Sequence, residues 1–209
     1  GVRPRARNPV RSGGMTDAGV DGDSKADVDA GSGVDAGGDA DTDVEIALIA
    51  AVASNRVIGH DKTMPWHFSE DLEYFKRTTT GHPVIVGRRT YETVVEALGE
   101  PFPDRTSVVL TSQSLDLPAG AVVANSIEEA IDLAAADADE RGVDVAYVAG
   151  GGRVYDQFLP YATRLVLTEI HEAYEGDTRF PAWDDDAWVE VERDERDALD
   201  FVTYERPNG

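Results

Sequence analysis

Cysteine is absent from the 209 residues, which excludes disulfides, thiolate catalysis and cysteine-type zinc sites. Histidine is scarce. His60, His67, His82 and His171 are the only 4, none stands at the spacing of a ligand pair, and no metal is expected. Lysine is scarcer, with Lys25, Lys62 and Lys76 alone. No apolar run is long enough to cross a membrane as a helix, and the N-terminal region has no apolar segment of a secretory or twin-arginine signal. These absences predict a soluble, cytoplasmic protein.

Bases are few altogether: 41 acids face 19 bases, a formal charge of −22. Residues 1–43 hold 9 of the acids and 5 of the bases, which leaves −18 on residues 44–209. Such a charge repels nucleic acid and anionic membranes, and it destabilises a compact fold unless salt screens it. Because the acids are spread over the whole domain and lysine is nearly missing there, the sequence predicts a halophilic protein rather than an ordinary acidic one. Residues 1–43 also lack large apolar side chains, being built of Gly, Ala, Ser and Asp with Arg3, Arg5, Arg7 and Arg11 at the start. A segment of this composition cannot bury enough surface to fold alone. It is predicted to be a disordered tail ahead of one domain, 44–209. Met15 stands inside it, and residues 1–14 are read as either an appended segment or an over-extended start.

From residue 44 the chain alternates. Glu45 to Ala53 is a continuous apolar run suited to a central buried strand. A helix is predicted from Ser69, as N-cap, to residue 80, then a strand at Pro83 to Gly87 and a helix from Arg89 to Ala97. Strands at Ser107 to Leu110 and Ala121 to Val123 precede a helix over Ser126 to Glu140, capped by Ser126 with Glu129 three residues on. Val143 to Ala149 is another buried strand, followed by a short helix ending before Pro160. Leu165 to Ile170, Trp188 to Glu192 and Phe201 to Glu205 read as strands with no helices between them. The order predicts an α/β fold: a central, mostly parallel sheet with helices on both faces and an antiparallel C-terminal edge.

One local rule is broken in the first helix. Phe68, Asp71, Leu72 and Phe75 stand at i, i+3, i+4 and i+7, the stripe that should face the core, and one of them is a carboxylate. Acids are common in a first helical turn, and Glu70 already fills that role. Met64-Pro65-Trp66 just upstream would put an indole and a thioether beside the helix entry, so Asp71 is predicted to sit in an apolar pocket. An unpaired buried carboxylate is kept to grip a cationic or amidine-like partner or to move a proton.

Two further stretches suit a dinucleotide. In Gly87-Arg88-Arg89-Thr90 a strand ends in Gly and the next helix opens with two guanidinium groups and a hydroxyl. In Gly150-Gly151-Gly152-Arg153-Val154-Tyr155 a strand again runs into a Gly-rich turn and a helix, so backbone N–H groups can approach a pyrophosphate. Either alone is also what an ordinary tight turn looks like. Both lie at C-terminal ends of predicted parallel strands, where α/β sheets bind ligands.

Ile49-Ala50-Ala51, Val57-Ile58-Gly59, Met64-Pro65-Trp66, Asp71-Leu72 and Phe75-Lys76 together resemble the dihydrofolate reductase family in order and spacing, and the likeness extends over essentially all of 44–206. The resemblance implies NADPH-dependent reduction of 7,8-dihydrofolate to 5,6,7,8-tetrahydrofolate, supplying one-carbon carriers for thymidylate and purine synthesis. It implies that Asp71 holds the pterin by its 2-amino group and N3, that Thr168 hydrogen-bonds this carboxylate, and that Trp66 and a mobile loop at 53–68 exclude water. Ala51, Leu72 and Phe75 would line the substrate, and Arg105, after Pro101-Phe102-Pro103-Asp104, would pair with its glutamate carboxylate. Arg88 and Ser112, in Leu110-Thr111-Ser112, would contact the 2′-phosphate of NADPH. Ala51, Ile58, Gly59, Gly87, Arg89, Thr90, Thr111, Gly152, Arg153, Val154 and Tyr155 would complete the cofactor site, with a cis peptide at Gly150-Gly151. Gly176-Asp177-Thr178 would latch the mobile loop.

The chain departs from the family's pattern at residues 95–100, which look longer than usual, at Phe102 in place of Leu, and at Arg89. Two other readings also explain the glycine turn, a pyrimidine reductase of the riboflavin pathway and a non-catalytic nucleotide-binding protein. Neither needs Asp71 in an apolar stripe. The expected partners are small molecules, without nucleic acid or membrane, and the expected state is a monomer or weak homo-oligomer.

Overall fold

The computed structural model describes residues 44–207 apart from Lys62; the predicted tail lies outside them. The first strand, β1 (Glu45–Ala53), is apolar on both faces because it is central, flanked by parallel partners on either side. The chain continues through β2 (Val57–Gly59), α1 (Ser69–Thr79), β3 (Pro83–Gly87), α2 (Arg88–Leu98), β4 (Thr106–Leu110), β5 (Ala121–Ala124), α3 (Ile127–Arg141), β6 (Val145–Val148), α4 (Gly152–Phe158), β7 (Arg164–Ile170), β8 (Thr178–Arg179), β9 (Val189–Glu195) and β10 (Leu199–Glu205). Eight strands form one sheet in the order β5-β4-β3-β6-β1-β7-β10-β9, and β2 pairs with β8 apart from it. All pairings up to β7 are parallel, whereas β10 runs antiparallel to both β7 and β9. The antiparallel edge is therefore a hairpin of two strands.

Strand alternation sends Ile46, Leu48 and Val52 to one face, where α3 and α4 cover them with Ala130, Ala134, Val154 and Phe158. Ala47 and Ile49 point the other way, against Tyr74 and Phe75 of α1, and Val84 and Val86 pack under Tyr91 of α2. Helices thus lie on both faces. The alanines of α3, at 130, 134 and 138, form its buried stripe and let it approach the sheet closely. Ser126 caps this helix by accepting from Glu129 N–H at 3.1 Å, and Glu129 returns its carboxylate to Asn125 N–H at 2.8 Å. Gly142 ends it in the left-handed conformation, φ 68°.

The start of α1 differs from the sequence expectation. Phe68 occupies the N-cap and Ser69 is already helical, with no side-chain cap. Leu72, expected in the core, is 43% exposed. The inward face instead carries Asp71, Tyr74, Phe75, Thr78 and Thr79, of which Asp71 and Thr79 are fully buried. Among the described residues no helix is long and apolar enough to cross a membrane.

Candidate active site

Asp71 leaves the first turn of α1 and is 7% exposed. Thr168, buried in β7 opposite Ala51 of β1, is the polar neighbour whose hydroxyl favours the charged form of this carboxylate. Burial pushes the Asp71 pKa up, and the Thr168 bond offsets only part of that shift. No arginine or lysine pairs with it among the described residues, so its charge is left for something that enters.

Trp66 closes the apolar side. It is buried with Ala53, Val57, Ile170, Leu199 and Phe201, and Tyr174 packs on it at 5.1 Å between ring centroids. Its indole N–H is buried without a protein acceptor among the described residues. Tyr74 stacks on Phe201 at 4.2 Å, fixing α1 to β10.

Twelve Å or so along the same helix face, at about 1.5 Å per residue, lies the second polar group. Thr79 is fully buried, donates to Phe75 C=O at 2.8 Å and accepts from Arg105 Nη1 at 3.0 Å. Arg105 is itself 6% exposed, with Nε donating to Pro103 C=O at 2.9 Å and its guanidinium 4.6 Å from the Phe102 ring centroid. Burial lowers its pKa, and the neighbouring Asp104 opposes this. No carboxylate bridges it among the described residues. A buried cation held by neutral acceptors can take an external carboxylate in its free donors. Phe102, the departure from Leu, packs at 5.4 Å against Phe75 and also supports the guanidinium. Thr79 escaped the sequence reading, although a polar residue in register with Asp71 on one helical face was the available signal.

The glycine stretches meet. Gly87 N–H donates to Gly150 C=O at 2.8 Å, and a Cβ at Gly87 would lie 3.0 Å from Val154. The Gly150-Gly151 peptide is cis. A Cβ at Gly151 would come 3.3 Å from Thr90 Oγ1, and one at Gly152 would lie 2.6 Å from Thr178 Cγ2. Tyr155 is buried and donates its hydroxyl to Ile49 C=O at 2.6 Å, and burial pushes its pKa up strongly. Arg88 and Thr90 are half-buried at the opening of α2, which has no acid in its first turn; Arg89, Ser112 and Arg153 are exposed. Thr111 is tied to the β5 end through its N–H on Ala124 C=O at 2.9 Å and its C=O on Asn125 at 2.7 Å.

Between the two halves runs the segment that carries Ile58 and Gly59. Asp177 N–H donates to Gly59 C=O and Asp61 N–H to Asp177 Oδ2, both at 3.1 Å. The Asp61 N–H, and after it the Thr178 hydroxyl donating at 2.9 Å, hold the Asp177 carboxyl below its usual range. Phe180 N–H donates to Arg56 C=O at 2.8 Å while Arg56 Nη1 donates to Phe180 C=O at 3.0 Å. A separate cavity of about 320 Å³, lined by Arg56, Glu169, His171, Trp183 and Asp200 among others, contains none of the residues expected to bind substrate or cofactor.

A carboxylate pocket and a glycine–arginine cradle on one doubly covered sheet define a dinucleotide-dependent reductase of small molecules. The dihydrofolate reductase family model matches residues 45–206. The dihydrofolate reductase HdrB of Haloferax volcanii is 59% identical over 166 residues, covering 79% of this chain and 86% of that protein. The Bacillus subtilis dihydrofolate reductase is 37% identical over 170 residues, 78% of this chain and 95% of its own. The solved dihydrofolate reductase of Enterococcus faecalis, complexed with NADP(H) and RAB-propyl, superposes with a TM-score of 0.67 at 33% identity, over 78% of this chain and 97% of that one. The chain belongs to the dihydrofolate reductase family. Its residues are compatible with NADPH: the glycines admit the close approach of Val154, Thr90 and Thr178 to the turn, and Arg88, Arg89 and Arg153 stand at the openings of α2 and α4, where phosphate is favoured.

Proposed function

We propose that the activity of this chain, NADPH-dependent reduction of 7,8-dihydrofolate to 5,6,7,8-tetrahydrofolate, runs through one carboxylate, Asp71. The observation that carries this reading is the burial of Asp71 against apolar walls with only a hydroxyl as partner. A carboxylate is an acceptor on both oxygens. One takes the Thr168 hydroxyl, and the other is free for the 2-amino and N3 hydrogens of a pterin. Held near a charge it cannot otherwise neutralise, the pterin is favoured in its cationic form, protonated at N5. NADPH, when bound, supplies the hydride for C6.

The other residues bind, orient and exclude water. Trp66 and the 53–68 loop would cover the pterin, with Ala51, Leu72 and Phe75 on its flanks and Arg105 gripping the glutamate carboxylate. The exposure of Leu72 supports a wall that substrate covers. Gly87, Arg88, Arg89, Thr90, Thr111, Ser112 and the 150–155 turn would hold the cofactor, with Ala51, Ile58 and Gly59 against its nicotinamide end and Gly176-Asp177-Thr178 keeping the loop down. A monomer fits the open edge: Val189 and Val191 of β9 are exposed but alternate with Glu190 and Glu192, whose charges oppose a second copy laid alongside. The cofactor requirement favours the cytoplasm.

The test mixes purified protein with dihydrofolate and NADPH in molar salt and follows loss of nicotinamide absorbance. Turnover by the wild type that disappears in Asp71→Ala, with NADPH still bound, is the expected result. Undiminished turnover in that variant would overturn the assignment.

A further inference from the structure

Several arginines of this domain meet carboxylates. Arg193 meets Glu169, Glu190 and Asp200; Arg196 meets Glu70 and Asp194; Arg164 meets Glu45 and Glu205. Those pairs lie on the β7-β10-β9 side. Near the glycine turns, Arg89 and Arg153 have no carboxylate within ion-pair distance among the described residues. Arg88 is the exception there. Its Nη1 lies 2.8 Å from Oε1 of Glu92, one turn further along α2.

We propose that Glu92 is a specificity-determining residue: it competes with the 2′-phosphate for Arg88 and so weakens the preference for NADPH over NADH. The inference rests on the reading of Arg88 as the phosphate-facing arginine. Glu92 occupies one of the five guanidinium donors, and a phosphate needs two of them for a forked contact. An incoming dianion must share or displace that bond. It then sits within a Debye length of a fixed negative charge, about 10 Å at 0.1 M salt, where like charges repel. NADH carries a hydroxyl at the same place and meets neither obstacle. Glu92 is 56% exposed and its side chain makes no other hydrogen bond among the described residues, so packing does not account for its position. The helix opening itself is otherwise free of acid, which makes Glu92 the nearest acid along α2 to bear on the phosphate.

The test measures NADPH and NADH dissociation constants by calorimetry for the wild type, Glu92→Gln and Arg88→Gln, at roughly 0.1 M and 2 M salt. Glu92→Gln is expected to tighten NADPH about twofold at low salt, shrinking towards no change at high salt, with NADH unaffected at both. Weaker NADPH binding would overturn the proposal and make Glu92 a support for Arg88. Equal tightening of both cofactors, or no change at low salt, would overturn it too. Arg88→Gln separates the premise: it should abolish the preference for NADPH, and a preserved preference would show that the fault lies in the phosphate reading of Arg88.

Discussion

Asp71 is costly where it stands. Its pKa is raised by burial above the ordinary 3.8, so the stability this group contributes is fully present below that value and is lost as pH rises through the raised one. At neutral pH the charge therefore opposes folding. Asn keeps the shape and can still accept from Thr168, so Asp71→Asn is expected to raise the melting temperature of the ligand-free protein at pH 7, by about 2–4 °C for each kcal/mol relieved in a domain of this size. A lowered melting temperature would mean the carboxylate is better satisfied than its surroundings imply. The same variant should lose about 10² or more in kcat/KM at neutral pH, since a neutral amide cannot favour a protonated pterin. Its rate should climb as pH falls and substrate arrives already protonated, while the wild type flattens; a pH profile of both proteins checks this. At the other end of α1, Thr79→Val removes the acceptor of Arg105 Nη1 and leaves a buried donor unpaired. The KM for dihydrofolate should rise about tenfold, the scale of one such bond, while that for a dihydropterin lacking the glutamate stays put. Equal change in both would place Arg105 away from the glutamate.

At the scale of elements, the β2-β8 pair is the joint between the 53–68 loop and the body. Gly176 is hemmed in by it. A Cβ there would run into the side chain of buried Val57 and the backbone carbonyl of Gly59, and the carbonyl cannot swing away. Gly176→Ala is therefore expected to part β2 from β8, speed amide exchange through 57–61 and reduce turnover. Asp177→Ala removes the acceptors for Asp61 N–H and the Thr178 hydroxyl and leaves the packing intact, so its effect on exchange should be smaller and confined to Asp61, Thr178 and their neighbours. Hydrogen exchange by mass spectrometry distinguishes the two patterns, and an unperturbed loop in Gly176→Ala would contradict the contact geometry. The Asp177 carboxyl is held below 3.8 by its donors, so what it contributes to stability is present above that value and lost as pH falls through the lowered one. The latch is not a switch near neutral pH.

For the whole molecule, charge dominates. Even with Arg193 shared among Glu169, Glu190 and Asp200, −18 on residues 44–209 leaves long-range repulsion that counterions relieve. The melting temperature and turnover are expected to rise from roughly 0.1 M to 2 M salt; equal melting temperatures at the two concentrations would refute the adaptation. A chain starting at Val44 should keep turnover and melting temperature nearly unchanged, because residues 1–43 have almost no apolar side chains with which to pack. Loss of most activity on that deletion would assign the segment a role its composition does not suggest.

Local chemistry was enough to read much of this from the chain alone. The apolar run of β1, the Ser126 cap of α3 and the glycine turns after β3 and β6 are specified by neighbouring residues, and the misplaced acid at Asp71 was visible as a break in a helical stripe. What adjacency does not encode is which distant group meets which. Arg105 and Thr79 are 26 residues apart, Tyr155 and Ile49 are 106 apart, and Asp61 and Asp177 are 116 apart. These contacts exist only once the sheet order brings β1 between β6 and β7. Leu72 marks the same boundary from the other side: an apolar side chain looks alike in sequence whether it faces the core or the surface. Only the packing of α1 on the sheet, which turns Asp71 and Thr79 inward and leaves Leu72 exposed, decides between them.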